Sequence, residues 1–272
     1  MSSSKETFGK TVGFVFVVCL VCALLVSFSA VQLKPLQTAN KLLDQQTKIL
    51  EASNLLTVAG DDIVGTYKQF VRPAIIDLSS GEISCQVKAV GEQASEADKA
   101  CLAEANFFDE RRNSRDATKS EKPKQDIAGI NRRSHDAVVY LVEDDAGLVN
   151  TLVLPIVGSG LWDLMYGYVG LEADLNTVKS VVYSDHKETP GLGAEVMNPK
   201  WKALWPGKKI YNEQGNVAVK IVKGGAKSGD LYGVDALSGA TLTSVGVEKT
   251  LKFWFGDEGY LPFITKNRGG LN

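Results

Sequence analysis

The sequence predicts one membrane-spanning helix at the N-terminus, followed by an exported α+β domain with a mainly antiparallel sheet and flanking helices. Three observations lead there. Residues 11–33 carry no charged side chain. Short apolar runs punctuated by turn residues begin at Asp136. Helix-like patterns bracket those runs, at Leu36 to Leu56 and after Ala240.

The run FVFVVCLVCALLV lies inside an uncharged stretch long enough to cross a bilayer core of about 30 Å at about 1.5 Å per residue. Lys5 and Lys10 precede it and Lys34 follows, so the positive-inside bias leans weakly towards cytoplasmic residues 1–10. Ser27-Phe28-Ser29 before Ala30 also fits a signal-peptide cleavage site. The stretch exceeds the roughly 7–15 apolar residues of an ordinary signal core, which favours an uncleaved anchor. Cys19 and Cys22 fall inside it and read as small apolar residues. Cys85 and Cys101 lie in the exported part, where a disulfide is open to them. The remaining residues complete neither a zinc site nor an iron–sulfur site.

From Leu36 to Leu56, leucines recur every seven residues and polar residues cover the other side. A core-facing helix and a partner helix for another subunit both fit. Gly60-Asp61-Asp62 marks a break, Ile63 to Leu78 is mixed around Pro73, and Ser79 to Arg133 is charged and turn-rich. Residues 34–135 therefore read as a helical and insertion region. AVVYLV and LVNTLVLPIVG, joined by a turn at Asp144 to Gly147, read as paired strands. Tyr166 to Leu171, Val178 to Ser184 and Asn216 to Val222 add further strands, with Trp201 to Trp205 packed on the sheet. This second region runs over 136–260, and 261–272 reads as a C-terminal tail.

A net charge of −2 over 272 residues gives no basic surface for nucleic acid, and 44% hydrophobic residues argue against extensive disorder. The densest chemistry is DALSGATLTS, Asp235 to Ser244, ahead of the helical pattern VGVEKTLKFWF. A glycine turn before a helix start suits a phosphate, because free N–H groups and the positive dipole end converge there. By itself the pattern reads first as an ordinary Ser/Gly turn capping a helix. His186-Lys187-Glu188-Thr189-Pro190-Gly191-Leu192-Gly193 gives a Pro-Gly loop; Val196 stands where a dinucleotide fingerprint needs its third glycine. Gly158-Ser159-Gly160-Leu161-Trp162 gives a tight backbone path, with Trp162 free to line a ligand or fill the core.

Asp235-x-x-Ser238-Gly239-Ala240-Thr241 resembles the flavinylation motif of FMN-binding domains in bacterial respiratory complexes. Taken with the ETPGLG and GSGLW elements and the N-terminal apolar run, most of the chain resembles the NqrC family of the Na⁺-translocating NADH:quinone reductases. The Rnf G subunits are next in similarity. The resemblance implies FMN bonded through its phosphate to Thr241, with Ser238, Gly239 and Ala240 shaping the turn. It implies a separate flavin transferase that reads a pattern including Asp235. Glu188, Thr189, Gly191, Leu192, Gly193 and Trp162 would contact the flavin. No residue would be catalytic and none would bind a metal. The partners would be membrane lipid and the other subunits of a bacterial inner-membrane complex, with the domain periplasmic. Electrons would pass from NADH towards quinone, coupled to Na⁺ export. An Rnf-type subunit of a ferredoxin-linked complex is the nearest alternative. A cofactor-free exported binding or assembly module is the other, and the intact Thr241 motif argues against it.

Overall fold

The computed structural model describes residues 8–271. The chain begins with α1 (Phe8–Ala52), α2 (Leu56–Ala59), α3 (Ile63–Phe70), β1 (Val71–Asp77) and β2 (Ile83–Gln86). Next come α4 (Glu96–Phe107), α5 (Glu110–Asn113), β3 (Ser120–Glu121), β4 (Arg133–Ser134), β5 (Asp136–Glu143), β6 (Val149–Ser159), β7 (Leu164–Glu172) and β8 (Val178–Asp185). It ends with α6 (Pro199–Lys202), β9 (Lys220–Val222), β10 (Gly233–Asp235), α7 (Thr241–Trp254) and α8 (Leu261–Asn267).

Among the described residues, 8–44 and 45–271 form separate compact units. The first, where described, is helical and includes the apolar run, which is long and apolar enough to cross a membrane. The span over 11–33 and the helix read from Leu36 are one element: α1 continues through Pro35 to Ala52. Leu36 and Leu43 are exposed, whereas Gln46, Ile49, Leu50 and Ala52 are buried. The core-facing stripe therefore occupies only the last turns.

The second unit is built on a six-stranded sheet in the order β2-β1-β5-β6-β7-β8. Every neighbouring pair is antiparallel, as the alternation of runs and turns predicts. Side chains alternate across it (period two), and β5 shows the result. Ala137, Val139 and Leu141 enter one core with α7 and α8, while Val138, Tyr140 and Val142 enter another with the end of α1, α3 and α4. AVVYLV is therefore apolar throughout rather than alternating: both faces are covered.

The stretch expected to be an insertion supplies part of this sheet. β1 pairs with β5 over its whole length, from Val71 opposite Val142 to Asp77 opposite Asp136. Cys85 on β2 is disulfide-bonded to Cys101 on α4, with their Cα atoms 5.8 Å apart. Ser95 and Asp98 form a capping box that starts α4. The expected C-terminal tail is in part a helix: Phe263 and Ile264 of α8 are buried in the first core. Trp201 and Trp205 are buried there too, in edge-to-face contact. Of the strand expected over 216–222, only β9 forms, in parallel with β10. That pair matters for the site, because β10 ends at Asp235 and delivers the DALSGAT segment to α7.

Candidate functional site

Between β10 and α7 the chain turns through Gly239, at φ +71°. That left-handed conformation is cheap only for glycine. A Cβ there would also come 3.0 Å from Leu192 Cδ2. Ser244 closes the turn by accepting a hydrogen bond from the Leu237 N–H at 3.0 Å. Thr241 is the first residue of α7, and no side chain caps that helix. Its leading N–H groups are thus left over by helix geometry beside the exposed Thr241 hydroxyl.

The ETPGLG and GSGLW loops converge on the same helix end, and Glu188 joins them. Its Oε1 accepts from the N–H groups of Leu161 (2.9 Å) and Trp162 (3.1 Å). Its Oε2 accepts from the Thr243 hydroxyl, in the first turn of α7. Glu188 is 5% exposed, so its carboxylate points into the protein. Trp162 is 67% exposed, which rules out the core-filling role, and its Nε1 donates to Thr189 Oγ1 at 3.1 Å. Thr189 is otherwise exposed, and its carbonyl accepts from Leu192 and Ala194 N–H across the loop. His186 Nδ1 accepts from the Glu188 N–H at 3.2 Å, which fixes the entry to the loop.

Asp235 holds structure rather than pointing outward. Its Oδ1 accepts from Ala226 N–H at 2.7 Å, and its carbonyl accepts from Trp201 Nε1 at 2.9 Å. It still lines a cleft of about 440 Å³ with Lys223, Gly224, Gly225, Ser238, Gly239 and Thr241. That size suits a small organic ligand. Lys187 of the loop pairs with Asp163, and Arg111 pairs with Asp185. The Lys187 hydrogen bond holds the Asp163 carboxyl below its usual range. The Arg111 guanidinium lies 3.8 Å from the centre of the Tyr166 ring. Among the described residues no cluster of His, Cys, Asp or Glu could hold a metal ion.

Sequence reasoning missed two parts of this arrangement. Lys223 to Gly225 forms the far wall of the cleft, and nothing local marks it. Leu242 and Val245 stand exposed one helical turn apart on α7, whereas Val247, Leu251 and Trp254 are buried. Val245 lines the same cleft as Thr241, and the exposed Leu192 lies against the Gly239 turn. The i, i+3 spacing was the available signal.

Residues 160–256 match the FMN-binding domain family, a range that includes all three motifs apart from Gly158 and Ser159. The NqrC subunit of the Na(+)-translocating NADH-quinone reductase from Vibrio alginolyticus is 42% identical over 272 residues, covering 99% of both chains. The chain belongs to this NqrC family. The corresponding Yersinia pestis protein is 41% identical over 98% of this chain and 96% of its own. A crystal structure of Shewanella oneidensis NqrC superposes with a TM-score of 0.75 at 39% identity, over 84% of this chain and 98% of that one. The Parabacteroides distasonis counterpart gives 0.61 at 27% identity, over 86% and 97%. The α+β fold around an antiparallel sheet is therefore that of the NqrC family.

FMN fits the residues present. An exposed threonine at an uncapped helix start suits its phosphate, a glycine turn brings the backbone close, and the exposed Leu192 and Val245 lie beside the turn and in the cleft.

Proposed function

We propose that this chain is the membrane-anchored electron-transfer subunit of a Na⁺-translocating NADH:quinone reductase, carrying FMN esterified through its phosphate to Thr241 Oγ1. One observation supports it above the rest. The fold ties GSGLW and ETPGLG through Glu188 to Thr243 in the first turn of α7, two residues from the exposed Thr241 that follows the SGA turn. Ser238, Gly239 and Ala240 would shape the turn and the α7 N–H groups would hold the phosphate. Trp162, Thr189, Gly191 and Leu192 would contact the flavin, and Asp235 fixes a wall of the cleft beside Thr241.

Thr241 Oγ1 would be the acceptor oxygen, forming its bond to phosphorus as its proton passes to a base of the transferase. Direct condensation in water is unfavourable, so the donor would be a phosphoanhydride of FMN, whose leaving group would depart with the bonding electron pair. The net gain on the chain is FMN less one water. Bound FMN supplies reversible one- and two-electron chemistry, and the protein supplies orientation and electrostatics. The NADH site, the quinone site and the ion path belong to other subunits of the complex. α1 anchors the chain in the inner membrane, and the Cys85–Cys101 disulfide supports a periplasmic, oxidising location for the domain.

The test is the intact mass of the full chain co-expressed with a flavin transferase, beside a Thr241→Val control. A gain of FMN less one water in the wild type alone supports the reading. No gain in either, with active transferase, sinks it.

A further inference from the structure

Glu188 is a buried carboxylate outside every ion pair among the described residues. Removing such a group from water costs several kcal/mol unless hydrogen bonds and dipoles replace the lost hydration. The structure provides both. Two backbone N–H groups of the GSGLW loop serve one oxygen, the Thr243 hydroxyl serves the other, and the start of α7 presents its positive dipole end. Two motif glycines make the space. A Cβ at Gly160 would lie 2.4 Å from Oε1, and one at Gly193 would lie 2.4 Å from Oε2 and 2.6 Å from Thr243 Oγ1. These glycines leave room for the carboxylate, and Glu188 has no free oxygen facing the cleft beside Thr241.

We infer that Glu188 is a positioning residue. It clamps the first turn of α7 to the GSGLW loop, so that Thr241 Oγ1 and Trp162 are held in the geometry that flavin attachment needs, and it does not itself touch the flavin. The inference rests on the FMN reading above and adds to it the element that sets the acceptor hydroxyl. A displacement of about 1 Å at a reacting atom can lower a rate by about a hundredfold, so a clamp this close has a measurable effect.

The experiment uses the full chain in four forms: wild type, Glu188→Ala, Glu188→Gln and Thr243→Val. Two quantities are read. One is amide hydrogen exchange at Leu161 and Trp162 in the flavin-free chain; the other is the rate of mass gain at Thr241 with excess transferase and donor. Glu188→Ala is expected to lose protection at both amides and to slow attachment about tenfold or more. Glu188→Gln keeps a carbonyl oxygen for the two N–H groups and an amide that the Thr243 hydroxyl can accept from. It should recover both quantities to within about twofold of wild type, by the same argument. Thr243→Val should keep the amides protected yet slow attachment, because only the link to α7 is cut.

Attachment at the wild-type rate in Glu188→Ala overturns the inference, and so does a Glu188→Gln chain as slow as the alanine variant. If Glu188→Ala does not fold, Thr243→Val decides: unchanged attachment there overturns the clamp. A wild type that gains no mass sinks the FMN reading and this inference with it. A wild type that gains mass alongside an equally fast Glu188→Ala sinks the inference alone.

Discussion

One methyl group at Gly193 has a calculable effect. Its added Cβ would sit inside contact distance of both Glu188 Oε2 and Thr243 Oγ1. Gly193→Ala should lower stability by about 1–3 kcal/mol, as overpacking of a filled site does. Thermal unfolding of the flavin-free chain checks this. Glu110 offers a second residue-scale test, through pH. Burial pushes its carboxyl up to about 7, against 4.5 in the open, with Ser134 and Arg133 pulling the other way. A carboxyl whose folded pKa is raised adds stability that is fully present below pH 4.5 and is lost as pH rises through 7. The loss is at most about 3 kcal/mol. Glu110→Gln should therefore flatten the fall in Tm between about pH 5 and pH 8, and an unchanged slope would count against this assignment. The motif glycines show where reading the sequence stops. It marks Gly160 and Gly193 as permissive positions, but not that the permission is for a carboxylate. The contacts join residues 27 and 55 apart in the chain, and local pattern carries no such information.

At the scale of elements, α7 is held to β6 by close backbone approach. A Cβ at Gly246 would lie 2.2 Å from the Ser159 carbonyl oxygen, a backbone atom with little room to move. Gly246→Ala should therefore push α7 off the sheet, costing roughly 2 kcal/mol or more, and displace Thr241 with it. Loss of both thermal stability and flavin attachment is the expected result. The disulfide is a separate staple. It closes a 16-residue separation between β2 and α4, and removing it should cost about 3 kcal/mol. A Cys85→Ser, Cys101→Ser double variant read by denaturant unfolding tests that value. β1 was the element least visible beforehand, because Pro73 disguises it. Within a strand a residue's N and C=O point to the same side. Val87 N–H bonds the Pro73 carbonyl just beyond the end of β2, so the missing proline N–H falls where the ladder has run out. β5 to β8 were visible, since apolar runs separated by turn residues are a local signal.

For the whole molecule, the fold class followed from pattern, but the two-sided core did not. Continuous apolar strands fit several layer arrangements, and only the packing of the end of α1, α3 and α4 against the second face decides among them. That packing has a consequence for truncation. A chain starting at Gln45 keeps Ile49 and Leu50, both fully buried, and should fold without the apolar helix. A chain starting at Leu56 loses both and should be destabilised by roughly 4 kcal/mol or more. Comparing soluble yield and Tm of the two truncations checks this. Equal stability would mean that the last turns of α1 contribute nothing to the domain.

The exposed hydroxyl at the first position of a packed helix also sets an order of events in time. Thr241 faces outward, while Glu188, Thr243 and Ser244, which hold it, are buried. The surface around Thr241 therefore exists only after the sheet, both loops and α7 have assembled, so on the proposed reading folding comes before flavin loading. Under that proposal attachment would act on a finished domain, since an unfolded chain would offer a transferase only a string of residues.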